Sequence, residues 1–268
     1  MAFLTLGPGE GLHYKYDPPG EASQSFVFVN ALTGNTGMWQ AEIGPALRAL
    51  GYGTLAYNLR GQQDSPFSPG ARLDDGLVAG DLVRLLDAVA PPRPILVGLS
   101  IGGLFAARAW LQGAAAEGLV LINTLRRPGP RLDWINQGMA RAARTGGLQL
   151  LMDLYLPLLV NEEKLTALRS TCLGEAPYEP LDPAHGHMNL LTWAAEADWD
   201  LPYERLDLPV LVMTGLQDRV FYEASALASL GARLPRARQI TLDDAGHLIP
   251  LERPAETVRA LLDFAKGL

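Results

Sequence analysis

Short apolar runs punctuate the chain, and each gives way to Gly, Asn or Asp before a longer periodic stretch begins. They lie at residues 26–30 (FVFVN), 54–58, 95–98, 119–123 and 210–215 (VLVMTG), with a shorter one at 239–242. Runs of this length with no polar alternation predict strands covered on both faces, as in a parallel sheet. Between them apolar residues recur at helical spacing. Leu73, Leu77, Leu82, Val83, Leu85 and Leu86 predict a helix over 73–89, and 255–268 reads the same way, with Pro254 near its first turn. Strand alternating with helix predicts an α/β architecture, a doubly wound and mostly parallel sheet with helices on both faces.

One region breaks this rhythm. From Arg126 to about Leu206 there is no convincing strand, and helical patterns at 133–146, 148–160, 161–173 and 188–199 are divided by Gly and Pro. This predicts a helical cap inserted between two strands of the sheet. The expected organisation is a core of 1–125 and 207–268 with a cap of 126–206. An insertion leaving the strand ends is well placed to cover a pocket there.

Composition narrows the function classes. The net charge of −7 comes without a basic face or a block of like charges, which argues against nucleic-acid binding. A single cysteine, Cys172, excludes an internal disulfide and a cysteine zinc cage, and is expected to be a small buried apolar group. No basic leader precedes a long apolar stretch, and no segment reaches the roughly 18 apolar residues that a membrane span needs. The expectation is a cytoplasmic protein that acts on a small molecule, with no membrane or nucleic-acid partner and no cofactor. The oligomeric state is not legible.

The chemistry centres on GLSIGG. Ser100 stands between Gly98 and Gly102, where an apolar run meets a helical pattern. Small neighbours allow a sharp strand-to-helix turn that lifts a serine oxygen above the sheet edge, and the new helix offers the free N–H of Ile101 to an oxyanion. A serine nucleophile needs a base near neutral pH, and histidine is the natural one. His13 lies in a strand-like LHYKY, and His185 and His187 lie in the inserted region. His247, in DAGHLIP just after the last expected strand, falls on the same edge as Ser100. Asp218, in GLQDRV, follows another strand on that edge and suits the acid that orients the imidazole, although a turn or helix cap would also explain it. The strand end at Asn123 has no carboxylate, and Asp243 and Asp244 are too near His247 in sequence to reach the far side of its ring. The loop after the run at 26–30 supplies Leu32, whose N–H is the second expected oxyanion donor. Gln62 and Gln63 suit either a polar substrate contact or a plain loop. The His185/His187 spacing is poor for two ligands on one helix face, so no metal site is expected.

Serine, acid and base in this order, with GLSIGG, GLQDRV, DAGHLIPLERP and YNLRGQQDS, resemble the α/β-hydrolase superfamily along nearly the whole chain. The resemblance implies a triad of Ser100, Asp218 and His247 under a helical cap. Two positions depart from the family pattern. Asn30-Ala31 stands where His-Gly is frequent, and RGQQ at 60–63 where Arg-Gly-His-Gly is frequent. The loop NALTGNTGMW is similar to the corresponding loop of 3-oxoadipate enol-lactonases, as is LVLINT followed by Trp134, which implies a substrate-binding role for that tryptophan. Further cap residues, Met139, Met152, Tyr155, Met188 and Trp193, suit either helix packing or an apolar pocket. The implied activity is hydrolysis of a carboxylic ester or (enol-)lactone through an acyl-enzyme at Ser100. Alternatives are carbon–carbon bond hydrolysis or acyl transfer by the same triad, or a non-catalytic fold that binds a small ligand.

Overall fold

The computed structural model describes residues 2–268. Eight strands form one sheet in the order β1-β2-β4-β3-β5-β6-β7-β8. They are β1 (Ala2–Gly7), β2 (Glu10–Asp17), β3 (Ser25–Val29), β4 (Gly53–Tyr57), β5 (Pro94–Leu99), β6 (Gly118–Ile122), β7 (Val210–Gly215) and β8 (Ala237–Leu242). The first two pair antiparallel with each other, and β2 pairs antiparallel with β4; every other pairing is parallel.

The apolar runs of β3 to β7 are strands because both of their faces are covered, whereas the run in β8 is largely exposed. Val27, Val29, Leu96, Leu119, Leu121, Val210 and Val212 point to one side, into a core shared with α3 (Asp75–Val89) and α4 (Ile101–Leu111). Phe26, Phe28, Ile95, Val97, Val120, Leu211 and Met213 point to the other. That side is closed by α1 (Gly37–Ala41), α2 (Ile43–Ala49) and the last helix. The helix expected at 73–89 starts at Asp75, because the Asp74 carboxylate accepts from the Leu77 N–H at 2.9 Å and caps it.

Between β6 and β7 the chain is helical, as expected, with different breaks. A 30-residue element, α5 (Pro130–Leu159), runs through both predicted stretches and kinks at Gly146 and Gly147, the second at φ 71°. Next come α6 (Glu162–Leu168), which is shorter than expected, and α7 (Gly186–Ala194). Ala140, Ala143, Leu151, Met188 and Leu191 make a small core of their own. Cys172 is half-buried in the turns after α6, not buried as expected, since the helix ends before it. After β7 come α8 (Ala224–Gly231), the short α9 (Ile249–Glu252) and α10 (Pro254–Ala265), whose Leu261 and Phe264 complete the second core. No helix among the described residues is long and apolar enough to cross a membrane.

Two loops at the C-terminal edge of the sheet are each tied down by one buried polar side chain. Gln62, fully buried, donates through Nε2 to the carbonyls of Ala31 (2.7 Å) and Leu32 (2.9 Å). Its Oε1 accepts from the Leu59 N–H and from Asn30 Nδ2. Asn30 in turn accepts from Trp39 Nε1 and donates to the Tyr57 carbonyl. The two departures from the family pattern are therefore one linked amide pair that holds the 30–32 loop, and Gln62 is not free to touch a substrate. On the other side, Glu252 Oε2 accepts from the N–H groups of Asn161 (2.7 Å) and Gly246 (2.8 Å), and Oε1 from Leu248 N–H (2.9 Å). This carboxylate brackets His247.

A buried polar group that loses its partner costs about 1–3 kcal/mol. Gln62→Ala is expected to lower unfolding stability by roughly 2–3 kcal/mol, read from denaturant midpoints at unchanged slope. Glu252→Gln, which turns an acceptor into a donor facing N–H groups, should cost at least as much. Gln63→Ala should move the midpoint little. A midpoint for Gln62→Ala equal to wild type would show that the amide pair carries no load.

Candidate active site

Ser100 occupies the turn between β5 and α4 with φ 60° and ψ −127°, a conformation that costs a side-chain-bearing residue about 1–3 kcal/mol. The glycines around it make the turn possible by close approach. A Cβ on Gly102 would overlap the Val29 carbonyl oxygen, and one on Gly98 would overlap the Gly103 nitrogen. The backbone N–H of Ser100 donates to the Ile122 carbonyl at 2.8 Å, which fixes the turn against β6. The N–H groups of Ile101 and Leu32 donate to no protein acceptor among the described residues.

Asp218 follows β7 and is almost fully buried. One carboxylate oxygen accepts from the N–H groups of Val220 (3.0 Å) and Phe221 (2.9 Å), and the other lies 2.6 Å from His247 Nδ1. Burial alone would push this carboxyl up. The adjacent His247 ring, the Phe221 N–H and the Arg126 guanidinium outweigh it and hold the group below the ordinary carboxylate range. The His247 ring also packs against Phe221, with ring centroids 5.0 Å apart. Asn123, the strand end without an acid, braces the loop of the base instead. Its side-chain amide donates to the carbonyls of Gly246 and His247 and accepts from the Gly215 N–H. The C-terminal end of α5 takes part as well. The Leu159 carbonyl accepts from the His247 N–H at 2.5 Å, and the Leu158 carbonyl from the Arg219 N–H at 2.8 Å. Carbonyls that a helix end leaves unpaired are thus satisfied by the two loops carrying the acid and the base.

Ser100, His247, Leu32 and Ile101 all line one cavity of about 100 Å³ under the inserted helices. Asp218 and His247 are in contact. Ser100 is not hydrogen-bonded to the imidazole among the described residues; its Oγ accepts from Arg126 Nη2 at 2.6 Å. Arg126 is buried, stacked 3.6 Å from the Phe221 ring centroid and 4.7 Å from that of Trp199. Burial pushes its guanidinium down to about 10, against the opposing pull of Asp218 and Tyr203, so it stays charged at neutral pH.

Of the expected cap residues, Met139, Met152 and Tyr155 reach the cavity. Met188 is packed inside the helical insertion, and Trp193 lies under Arg72. Trp134 requires a correction. It is 83% exposed and does not line the cavity, so the substrate-binding role implied for it does not hold. The reason is helical phase: Asn136 and Met139, three residues apart, face inward, and Trp134, two residues before Asn136, sits on the opposite side of α5. Arg126, Trp199 and Phe221 are cavity residues that the sequence pattern does not single out. Arg126 carries a signal, since it lies four residues past the end of β6, on the edge that carries Ser100 and Asp218. Trp199 closes the helical pattern expected over 188–199 but lies beyond the end of α7, where the pattern no longer says which way it faces. The His185 and His187 rings stack on each other beside a separate depression that also contains Gln63. No group of three or more His, Cys, Asp or Glu side chains clusters as a metal site among the described residues.

Comparison with known proteins identifies the family of this fold. The family of the alpha/beta hydrolase fold matches residues 24–254. 3-Oxoadipate enol-lactonase 1 of Acinetobacter baylyi is 24% identical over 99% of this chain and 97% of its own length. A putative carbamate hydrolase, RutD, of Variovorax paradoxus is 36% identical, but over 44% of each chain only. Among solved structures, the enol-lactonase from Burkholderia xenovorans LB400 superposes with a TM-score of 0.81 at 24% identity, covering 99% of this chain and all of the other. The match across most of its length, on a mostly parallel eight-stranded sheet with a serine at the turn after β5, makes this chain a member of the alpha/beta hydrolase family.

Proposed function

We propose that the protein is a serine hydrolase of carboxylic esters or lactones, with residues 126–206 forming a cap over a core of 1–125 and 207–268. The observation that carries this reading is the buried Asp218–His247 contact at 2.6 Å, opening onto the cavity that also holds Ser100. Ser100 Oγ attacks the carbonyl carbon, and its proton passes to His247 Nε2. Asp218, acidified by its surroundings, stays ionised, keeps the Nδ1 proton in place and stabilises the imidazolium. The tetrahedral oxyanion lies between the N–H groups of Leu32 and Ile101, at the start of α4, where each donor is worth about 3–4 kcal/mol. His247 then protonates the departing alcohol oxygen. Water, deprotonated by the same imidazole, attacks the acyl-serine and releases the acid. The first step requires the Ser100 side chain to turn from Arg126 toward His247, a tightening that catalytic hydrogen bonds commonly undergo when substrate arrives.

The resemblance to enol-lactonases supports the lactone end of this range, and the apolar lining supports a small acyl group. A panel of aryl esters, enol-lactones and β-diketones, each with and without an added alcohol acceptor, separates hydrolysis of esters or lactones from carbon–carbon cleavage and from acyl transfer. A fluorophosphonate probe should label Ser100 and no other residue. Ser100→Ala is expected to abolish turnover of a small activated ester with little change in thermal stability. Asp218→Asn should lower kcat by roughly 10³–10⁴-fold through loss of the correct tautomer. Wild-type turnover in Ser100→Ala would overturn the mechanism.

A further inference from the structure

We propose that Arg126 is a specificity-determining residue, which recognises a carboxylate on the acyl part of the substrate close to the carbonyl that Ser100 attacks. This rests on the hydrolase reading above and names the residue that selects within it. The proposal starts from a buried cation without an anion. Arg126 is 6% exposed, makes one hydrogen bond, to Ser100 Oγ, and leaves Nε buried with no partner. No carboxylate lies within ion-pair distance of it among the described residues. Asp218, whose charge it feels, has one oxygen on His247 and the other on two N–H groups.

Taking a guanidinium out of water is costly unless an anion meets it. The same fold shows the ordinary solution elsewhere: the equally buried Arg60 is held in two places by Asp81 and in a third by Glu10. Arg127, the neighbour of Arg126, pairs with Glu223. Arg126 has only aromatic faces, from Phe221 and Trp199, which ease the burial of a cation without neutralising it. Its planar fork of donors fits a carboxylate. Among the described residues it is the only Arg or Lys lining a cavity otherwise dominated by Leu, Met and aromatic side chains. Until such an anion arrives, the serine oxygen is the acceptor that the guanidinium holds.

Position limits the length of the substrate. The guanidinium nitrogen is 2.6 Å from the nucleophile, so a carboxylate paired with Arg126 sits only a few bonds from the acyl carbon that Ser100 attacks. A succinyl-sized acyl group meets this condition, and a long-chain acyl group with a distant charge does not.

The test compares 4-nitrophenyl hemisuccinate with 4-nitrophenyl butyrate, whose acyl chain carries a methyl group in place of the terminal carboxylate. Wild type should favour the hemisuccinate in kcat/KM by about ten- to a hundredfold, the range of one hydrogen-bonded charge pair. In Arg126→Met that ratio should fall at least tenfold, mainly through KM, and Arg126→Lys should restore part of it. Calorimetric binding needs no turnover: succinate should bind wild type more tightly than butyrate, raise its melting temperature and do neither in Arg126→Met. A wild-type ratio near one, or a ratio unchanged in Arg126→Met, would overturn the proposal. Equal binding of succinate and butyrate would also overturn it, because the guanidinium would then hold only the product carboxylate of any acid. Should Arg126→Met fail to fold, the wild-type comparison of the two acids decides. If neither ester is hydrolysed and Ser100 takes no fluorophosphonate, the hydrolase reading fails, and succinate binding still decides the role of Arg126.

Discussion

The close approach of two backbones at the end of the sheet governs the rest of the site. The turn after β5 runs so near the end of β3 that Gly102 has no room for a Cβ against the Val29 carbonyl. That contact lifts Ser100 out of the sheet at φ 60° and points the first turn of α4 at the cavity. The strain is tolerated because strands buried on both sides hold the turn from below. With Ser100 fixed there, parallel pairing puts the loops after β3, β7 and β8 on the same edge, and the remaining groups need reach only across neighbouring strands.

What the sequence reveals and what it hides follow from the range of the interactions involved. The central strands β3 to β7 are legible because burial on both faces requires unbroken apolar runs, and their edges differ from expectation by no more than a residue, whereas the partly exposed β1, β2 and β8 leave a weaker trace. Ser100, Asp218 and His247 are legible because each lies in the loop that leaves the C-terminal end of a strand, within five residues of it. The ties that hold them are not. Gln62 reaches Ala31 and Leu32 from thirty residues away, and Glu252 reaches Asn161 from ninety, by hydrogen bonds that leave no periodic trace. Trp134 misleads because an aromatic residue says nothing about the phase of the helix that carries it. Arg126 escapes notice because the edge after β6 is a natural place for an acid, whereas the chain puts a cation there.

The inserted helices do more than roof the cavity. The end of α5 accepts hydrogen bonds from Arg219, next to the acid, and from His247 itself, and Gly246 packs so closely on the Leu159 oxygen that a Cβ would not fit. Glu252 adds the Asn161 N–H, just past that helix end, to the same cluster. The position of the base is therefore set jointly by the sheet, through Asn123, and by the insertion, through the end of α5. A shift of α5 to admit a larger acyl group would carry His247 with it. On the hydrolase reading proposed above, the size of the substrate and the alignment of His247 are mechanically coupled, and changes to the inner face of α5 should alter kcat as well as KM.

Electrostatics complete this coupling. Behind the cavity wall lies one anion, Asp218, fully engaged with the imidazole and two backbone N–H groups, and on the wall itself lies one cation, Arg126, engaged only with Ser100 Oγ. A neutral acyl group entering an apolar pocket gives the guanidinium no reason to leave the serine. An anionic one does, since a charge pair formed away from water is stronger than a hydrogen bond to a hydroxyl. On the role proposed for Arg126, one side chain governs both the chemical class of the substrate and the freedom of Ser100 to meet His247, and a pocket that is poor in polar groups can still be selective.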